Sequence, residues 1–187
     1  MKSRPNYIKK SFNKWKNSWA WLSMSFITNF PSRHVRLFLL RRKGASIADK
    51  VSIWRGVEIR NPKGLSIESG SAIGPGVTLD ARKGLKIGKN VTVAKDAIIW
   101  TLHHDMNSKD FHTIGAETVI EDYAWICSRS ILLPGVHVGR GAVIASGAIL
   151  SKDVDSQSIM GGVPAKKIGE RKESDFTYVP FVDLHVV

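Results

Sequence analysis

Residues 132–154 read LLPGVHVGRGAVIASGAILSKDV, and this stretch decides the fold. Leu132, Val138, Ile144 and Leu150 recur every six positions. Small or turn-forming residues, such as Gly139 and Ala145, follow the aliphatics, and further small residues, such as Ala142 and Ala148, come four places after them. A six-residue period fits neither an α-helix nor an alternating strand. It fits a solenoid whose every turn has three short flat faces, each sending one aliphatic inward.

The same period extends upstream. Ile47, Ile53 and Ile59, then Ile67, Ile73 and Leu79, then Ile87, Val93 and Ile99 form triplets offset by twenty residues. After an interruption, Ile120, Ile126 and Leu132 lead into Val138, Ile144 and Leu150 at an offset of eighteen. The two extra residues of the longer turns are assigned to small corner bulges at Leu65-Ser66 and Leu85-Lys86. About five turns can be counted. Stacked as parallel strands ~4.8 Å apart, they make a prism on the order of 25 Å long.

The interruption is Trp100 to Glu117, WTLHHDMNSKDFHTIGAE. It brings His103, His104, Asp105 and His112 together in sequence, and a polar loop on a rigid scaffold is where function concentrates.

The N-terminal segment is different in kind. Residues 1–43 hold eleven Lys or Arg and no acid, whereas the remaining chain is nearly balanced, so the net charge of +12 belongs to an arm. Such an arm suits membrane phosphates, nucleic acid or an acidic partner. No recognised nucleic-acid module is present, which disfavours the second. Residues 7–30 read as a helix with Ile8, Phe12, Trp15, Trp19, Leu22 and Phe26 on one face. Pro31 ends it, Ser32 is placed to cap a second helix from Arg33 to Lys43, and Gly44 stops that one. Two readings of the arm stay open together: a cap over the open end of the solenoid, or a helix in a membrane interface with tryptophans at headgroup depth. No apolar run reaches the ~18–20 residues that span a bilayer, and the start does not read as a signal peptide. The single cysteine, Cys127, rules out an intrachain disulfide and fits a reducing compartment. The expected location is cytoplasmic, at the inner face of the cell membrane if the arm binds lipid.

The repeat over roughly residues 45–170 resembles the hexapeptide-repeat acyltransferases. The resemblance rests on Ala124-Trp125-Ile126, Leu133-Pro134-Gly135-Val136, Ile144 to Ala148, Ser151-Lys152-Asp153-Val154 and the closing run Gly161 to Ile168. It implies an all-β solenoid, a left-handed parallel β-helix with an N-terminal helical extension. The division is then an arm at 1–44, the β-helix at 45–170 with its loop at 100–117, and a tail at 171–187 for which no role is read.

The pattern is closest to the sugar O-acetyltransferases of exopolysaccharide synthesis. These place His-Asp ahead of the aliphatic that restarts the repeat, at the spacing of His104-Asp105 to Ile120. His104 is therefore the expected catalytic base, with His103 as the fallback and His112 disfavoured. Imidazole suits the task, because a saccharide hydroxyl is a poor nucleophile until a base with a pKa near working pH takes its proton. Asp105 or another carboxylate is a candidate to orient the ring. The resemblance also implies a homotrimer with acetyl-CoA in the groove between subunits, near Ser128, Ser146, Ser151, Lys152 and Lys166. The acceptor is a saccharide, lipid-linked if the arm meets a membrane. No metal and no nucleic acid are expected.

Cys127 and Arg129 stand where the family has smaller residues, which bears on the fit of the thiol arm. Cys127 reads as a small buried residue, not a nucleophile. A carbonic-anhydrase-like zinc enzyme on this scaffold needs a histidine spacing that His34, His103, His104, His112, His137 and His185 do not offer. A serine-acetyltransferase-like enzyme and a non-catalytic membrane-associated scaffold remain as alternatives.

Overall fold

The computed structural model describes residues 7–183. The side chains of Ile8 and Phe12, and His185 with the rest of 184–187, lie outside the described residues. Two helices, α1 (Tyr7–Asn29) and α2 (Arg33–Arg42), precede a three-sided parallel β-solenoid. The first face stacks strands carrying Ile47, Ile67, Ile87, Ile120 and Val138. The second carries Ile53, Ile73, Val93, Ile126, Ile144 and Met160. The third carries Ile59, Leu79, Ile99, Leu132 and Leu150. These aliphatics form one continuous core, with Met160 partly buried at its C-terminal end.

The register follows the spacing: Ile47 lies over Ile67, and Ile120 over Val138. One detail differs. Leu65 and Leu85 are not bulge residues but regular, buried members of the strands Leu65–Ile67 and Leu85–Ile87. The extra length sits just before them, in the turn Pro62–Gly64 and at Arg82-Lys83, on the corner between third and first faces. One extra leucine in each of these two turns, Leu65 and Leu85, therefore adds to the core.

α2 closes the N-terminal end of the prism. Ser32 occupies its N-cap position but makes no side-chain cap bond. The closure uses arginines. Arg36 is fully buried and donates to the carbonyls of Phe30 and Pro31 at the end of α1 and of Ile53 in the first turn. Arg41 donates to the carbonyls of Ile47 and Ala48, and Arg33 to that of Val51. The first-turn carbonyls of Ile47, Ala48, Val51 and Ile53 have no preceding turn to pair with, and a buried unpaired carbonyl costs about 1–3 kcal/mol. Part of the arm's positive charge is thus spent inside the fold.

α1 packs against the third face through Ile27, Thr28 and Met24, and its Thr28 carbonyl accepts from the Gly56 amide at 3.3 Å. Its apolar stripe faces away: Trp15, Trp19, Leu22 and Phe26 are all exposed, Phe26 by 66%.

The other end is closed by Ser158–Gly161, which pairs in parallel with Val143-Ile144 and antiparallel with Lys166–Glu170. The tail then runs back along the prism. Phe176 is buried against Tyr123 and Gly141, and the Tyr178 hydroxyl donates to the Tyr123 carbonyl at 2.9 Å. Arg33 of α2 stacks on Phe181 and pairs with Asp183 at 2.6 Å. Gly141 permits this path: it has φ +69°, and a Cβ there would run into the Phe176 ring.

Candidate active site

The loop leaves the prism after Ile98-Ile99 and rejoins it at Thr118–Ile120. Its root is fixed from below by Asp80, which is fully buried. The Asp80 carboxylate accepts from Arg82 Nε at 2.8 Å and Nη2 at 2.9 Å, and from the Thr101 amide at 3.3 Å. Burial pushes this carboxyl up. The hydrogen bonds from the Arg82 side chain and from the Arg82 and Thr101 amides outweigh that and hold it below the ordinary carboxylate value. Arg82 is raised in turn, chiefly by its bond to Asp80. Thr118 Oγ1 donates to the Trp100 carbonyl at 3.0 Å and ties the two ends of the loop together.

Beyond the root the chain forms a two-stranded antiparallel hairpin, with His103 opposite Ile114 and His104 opposite Thr113. The tip is held by its own polar groups. The Asp105 amide donates to the His112 carbonyl, and Asp105 Oδ1 accepts from the Asn107 amide. His112 Nδ1 lies 2.7 Å from Ser108 Oγ, and its Nε2 lies 3.9 Å from Asp105 Oδ2.

His104 is the ring this hairpin orients. It stacks on Phe111, with ring centroids 4.1 Å apart and planes 6° from parallel. Its Nδ1 lies 2.6 Å from the Phe111 carbonyl oxygen. Phe111 has φ +51°, a left-handed conformation unusual for a bulky residue. A carbonyl only accepts, so in the neutral ring Nδ1 carries the proton and Nε2 keeps its lone pair. The group orienting His104 is therefore a main-chain carbonyl. Asp105, the carboxylate considered for that role, faces the tip of the loop and His112. His103 Nδ1 approaches the neighbouring His104 carbonyl at 3.1 Å.

A groove of about 820 Å³ runs between the hairpin and the corner, bordered by His103, His104, Phe111, Trp100, Arg60 and Ser151 among others. Ser151 is thus the one expected cofactor residue beside the histidines, and Lys152 follows it, exposed. Ser128 and Ser146 lie on adjacent turns at the corner between second and third faces, where the Gly147 amide donates to the Ser128 carbonyl. Lys166 is exposed on the closing hairpin. Cys127 is buried, and burial raises its thiol above the ordinary value. Among the described residues no cluster of His, Cys, Asp and Glu is placed to hold a metal.

Two groove residues, Arg60 and Arg82, escaped the sequence reading. Arg60 lies 4.9 Å over the Trp100 ring, and Arg82 reaches the Leu102 carbonyl at 3.5 Å. The one available signal was the twenty-residue column Arg60, Asp80, Trp100, in which polar and aromatic residues share one register position.

Residues 117–152 match the bacterial transferase hexapeptide (six repeats) family. The chain is 29% identical over 140 residues to a putative colanic acid biosynthesis acetyltransferase, WcaF, of Escherichia coli strain K12, covering 75% of this chain and 77% of that protein. The fold matches a hexapeptide-repeat-containing acetyltransferase from Vibrio cholerae O1 biovar eltor, solved with acetyl coenzyme A, at a TM-score of 0.76 and 22% identity. That match covers 82% of this chain and 88% of the other. A maltose O-acetyltransferase from Clostridium difficile 630 matches at 0.68 and 19%, over 82% and 86%. At these identities the solved structures establish the fold alone.

Proposed function

We propose, from the premise that this chain is a hexapeptide-repeat protein of left-handed β-helix fold, that it is an acetyl-CoA-dependent O-acetyltransferase acting on a saccharide hydroxyl, with His104 as general base. The observation that carries this reading is the 2.6 Å contact between His104 Nδ1 and the Phe111 carbonyl. With Nδ1 so engaged, the imidazole keeps Nε2 as its basic nitrogen, and His104 lines an open groove. The acceptor hydroxyl gives its proton to Nε2 as its oxygen attacks the thioester carbon. The tetrahedral intermediate collapses, the imidazolium returns the proton to the departing thiolate, and acetyl ester and CoA leave.

Relatives support the choice of acyl donor and acceptor class. WcaF is named for colanic acid, and the matched fold holds acetyl coenzyme A in another protein. We place the donor along the C-terminal turns, beside Ser128, Ser146, Ser151, Lys152 and Lys166, in a groove completed by a neighbouring subunit of a homotrimer. The exposure of His103, His104, Met106 and Phe111 in the single chain is consistent with a partner covering them. The outward Trp15, Trp19, Leu22 and Phe26 stripe supports a peripheral membrane contact. No described helix is long and apolar enough to cross a membrane.

The test is free-thiol release from acetyl-CoA against a panel of free and lipid-linked saccharides. Release that depends on an acceptor supports the reading. No release with any acceptor, together with no CoA binding, points to a non-catalytic scaffold.

A further inference from the structure

Two grooves meet at the same pair of arginines. One is the loop groove that holds His104. The other, of about 650 Å³, lies under α1, between Ala20, Trp21, Met24 and Thr28 of the helix and Gly56 and Ile59 of the first turn. Arg60 and Arg82 line both. The volume falls within the range of about 300–1,000 Å³ usual for ligand sites.

The two grooves differ in the groups they carry. The α1 groove has hydrocarbon from Ala20, Trp21, Met24, Val57 and Ile59, with Ser25, Thr28, Asn29 and Asn61 along its rim, and α1 turns its exposed aromatic stripe to solvent on another of its faces. The loop groove carries the histidines. Between them the two guanidiniums meet two carboxylates, Glu58 and Asp80. Glu58 accepts from Arg60 Nε at 2.6 Å, and Asp80 is buried and occupied by Arg82 and the Thr101 amide. Among the described residues, both terminal nitrogens of Arg60 and one of Arg82 have no protein acceptor. They are donors suited to a phosphate, which guanidinium planes bind at two points.

We propose that this junction binds the phosphate of a lipid-phosphate-linked acceptor. Its hydrocarbon chain lies in the groove under α1, its phosphates sit on Arg60 and Arg82, and its saccharide extends toward His104. The order of the three chemistries along the surface, apolar, cationic, then basic imidazole, is the order of such a molecule. The identity of the saccharide end rests on the transferase reading above, whereas the lipid-phosphate site is testable without turnover.

The experiment titrates the full chain with farnesyl diphosphate, farnesol and inorganic pyrophosphate, with and without saturating CoA. Farnesyl diphosphate is expected to bind at least about tenfold tighter than either fragment, about 1.4 kcal/mol. Arg60→Gln is expected to weaken it by a similar factor, with Arg60→Lys intermediate. Ala20→Trp, which fills the α1 groove, is expected to weaken farnesyl diphosphate while leaving pyrophosphate unchanged. Pyrophosphate binding as tightly as farnesyl diphosphate, or Arg60→Gln binding like wild type, overturns the proposal. Expulsion of farnesyl diphosphate by CoA also overturns it, because the arginines then serve the diphosphate of CoA. In turnover, Arg60→Gln is expected to raise KM for a lipid-diphosphate-linked saccharide and leave KM for acetyl-CoA in place. If wild type acetylates no saccharide and binds no CoA, the transferase reading falls and the binding result still decides the lipid-phosphate site.

Discussion

Thr101 and Met106 are five residues apart and live under opposite rules. Thr101, at the root of the loop, is fully buried, while Met106 near its tip is 86% exposed. The prism below places one aliphatic per face inside and satisfies its backbone turn by turn. The hairpin above buries almost nothing and is held by a handful of polar contacts, yet it carries the groups able to do chemistry. On the proposed function, stability and reactivity occupy separate, adjoining regions. A substitution in one should leave the other's readout alone.

The strongest way to break that separation is His104→Ala. Acceptor-dependent thiol release should fall at least ~100-fold, as expected for loss of a general base, with the melting temperature unchanged. A drop in melting temperature of several degrees would make the loop part of the fold instead. Ile73→Ala is the converse. Ile73 is fully buried on the second face, so its truncation should cost about 2–5 kcal/mol in urea unfolding with KM values of the folded enzyme intact.

Arg36→Met probes a charged residue that behaves as part of the core. It removes the donor to the Phe30 and Ile53 carbonyls, at a cost of about 1–3 kcal/mol. An unfolding midpoint equal to wild type would refute the capping role of α2. The smallest effect is expected at the boundary itself. Because its folded-state value is lowered, Asp80 stabilises the native state above the ordinary carboxylate pKa of about 4, and that contribution is lost as pH falls through the lowered value. Asp80→Asn should therefore lower stability at pH 7 and flatten the acid limb, read as urea midpoints at pH 7 and pH 3. Equal acid sensitivity in both proteins would remove the Asp80–Arg82 pair from the account.

What was legible in the sequence follows the same division. A six-residue period is local and repeated, so the core positions from Ile47 to Leu150 could be named, and the loop stood out as the place where the period fails. The stripe of α1 was also legible, but not its direction: α1 buries Ile27 and Thr28 and turns the tryptophans out. Arg33, Arg36 and Arg41 counted as surface charge, because nothing local reveals that a helix will meet the open edge of a solenoid. The tail has no period, and Phe176 finds its site only because Gly141 is thirty-five residues away in sequence but adjacent in space. At the site, the His-Asp spacing drew attention to Asp105 as the partner of the ring. The contact His104 makes is to a main-chain carbonyl, which every residue possesses and no sequence pattern marks.

The central claim is that the hairpin fixes His104 with its proton on Nδ1 and leaves Nε2 free to act as the base. The direct measurement is the ¹⁵N chemical shifts of the His104 ring in the folded protein, at a pH where the ring is neutral, assigned by comparison with His104→Ala. The account predicts a protonated, pyrrole-type Nδ1 and a pyridine-type Nε2. A proton on Nε2 in the neutral ring would contradict it.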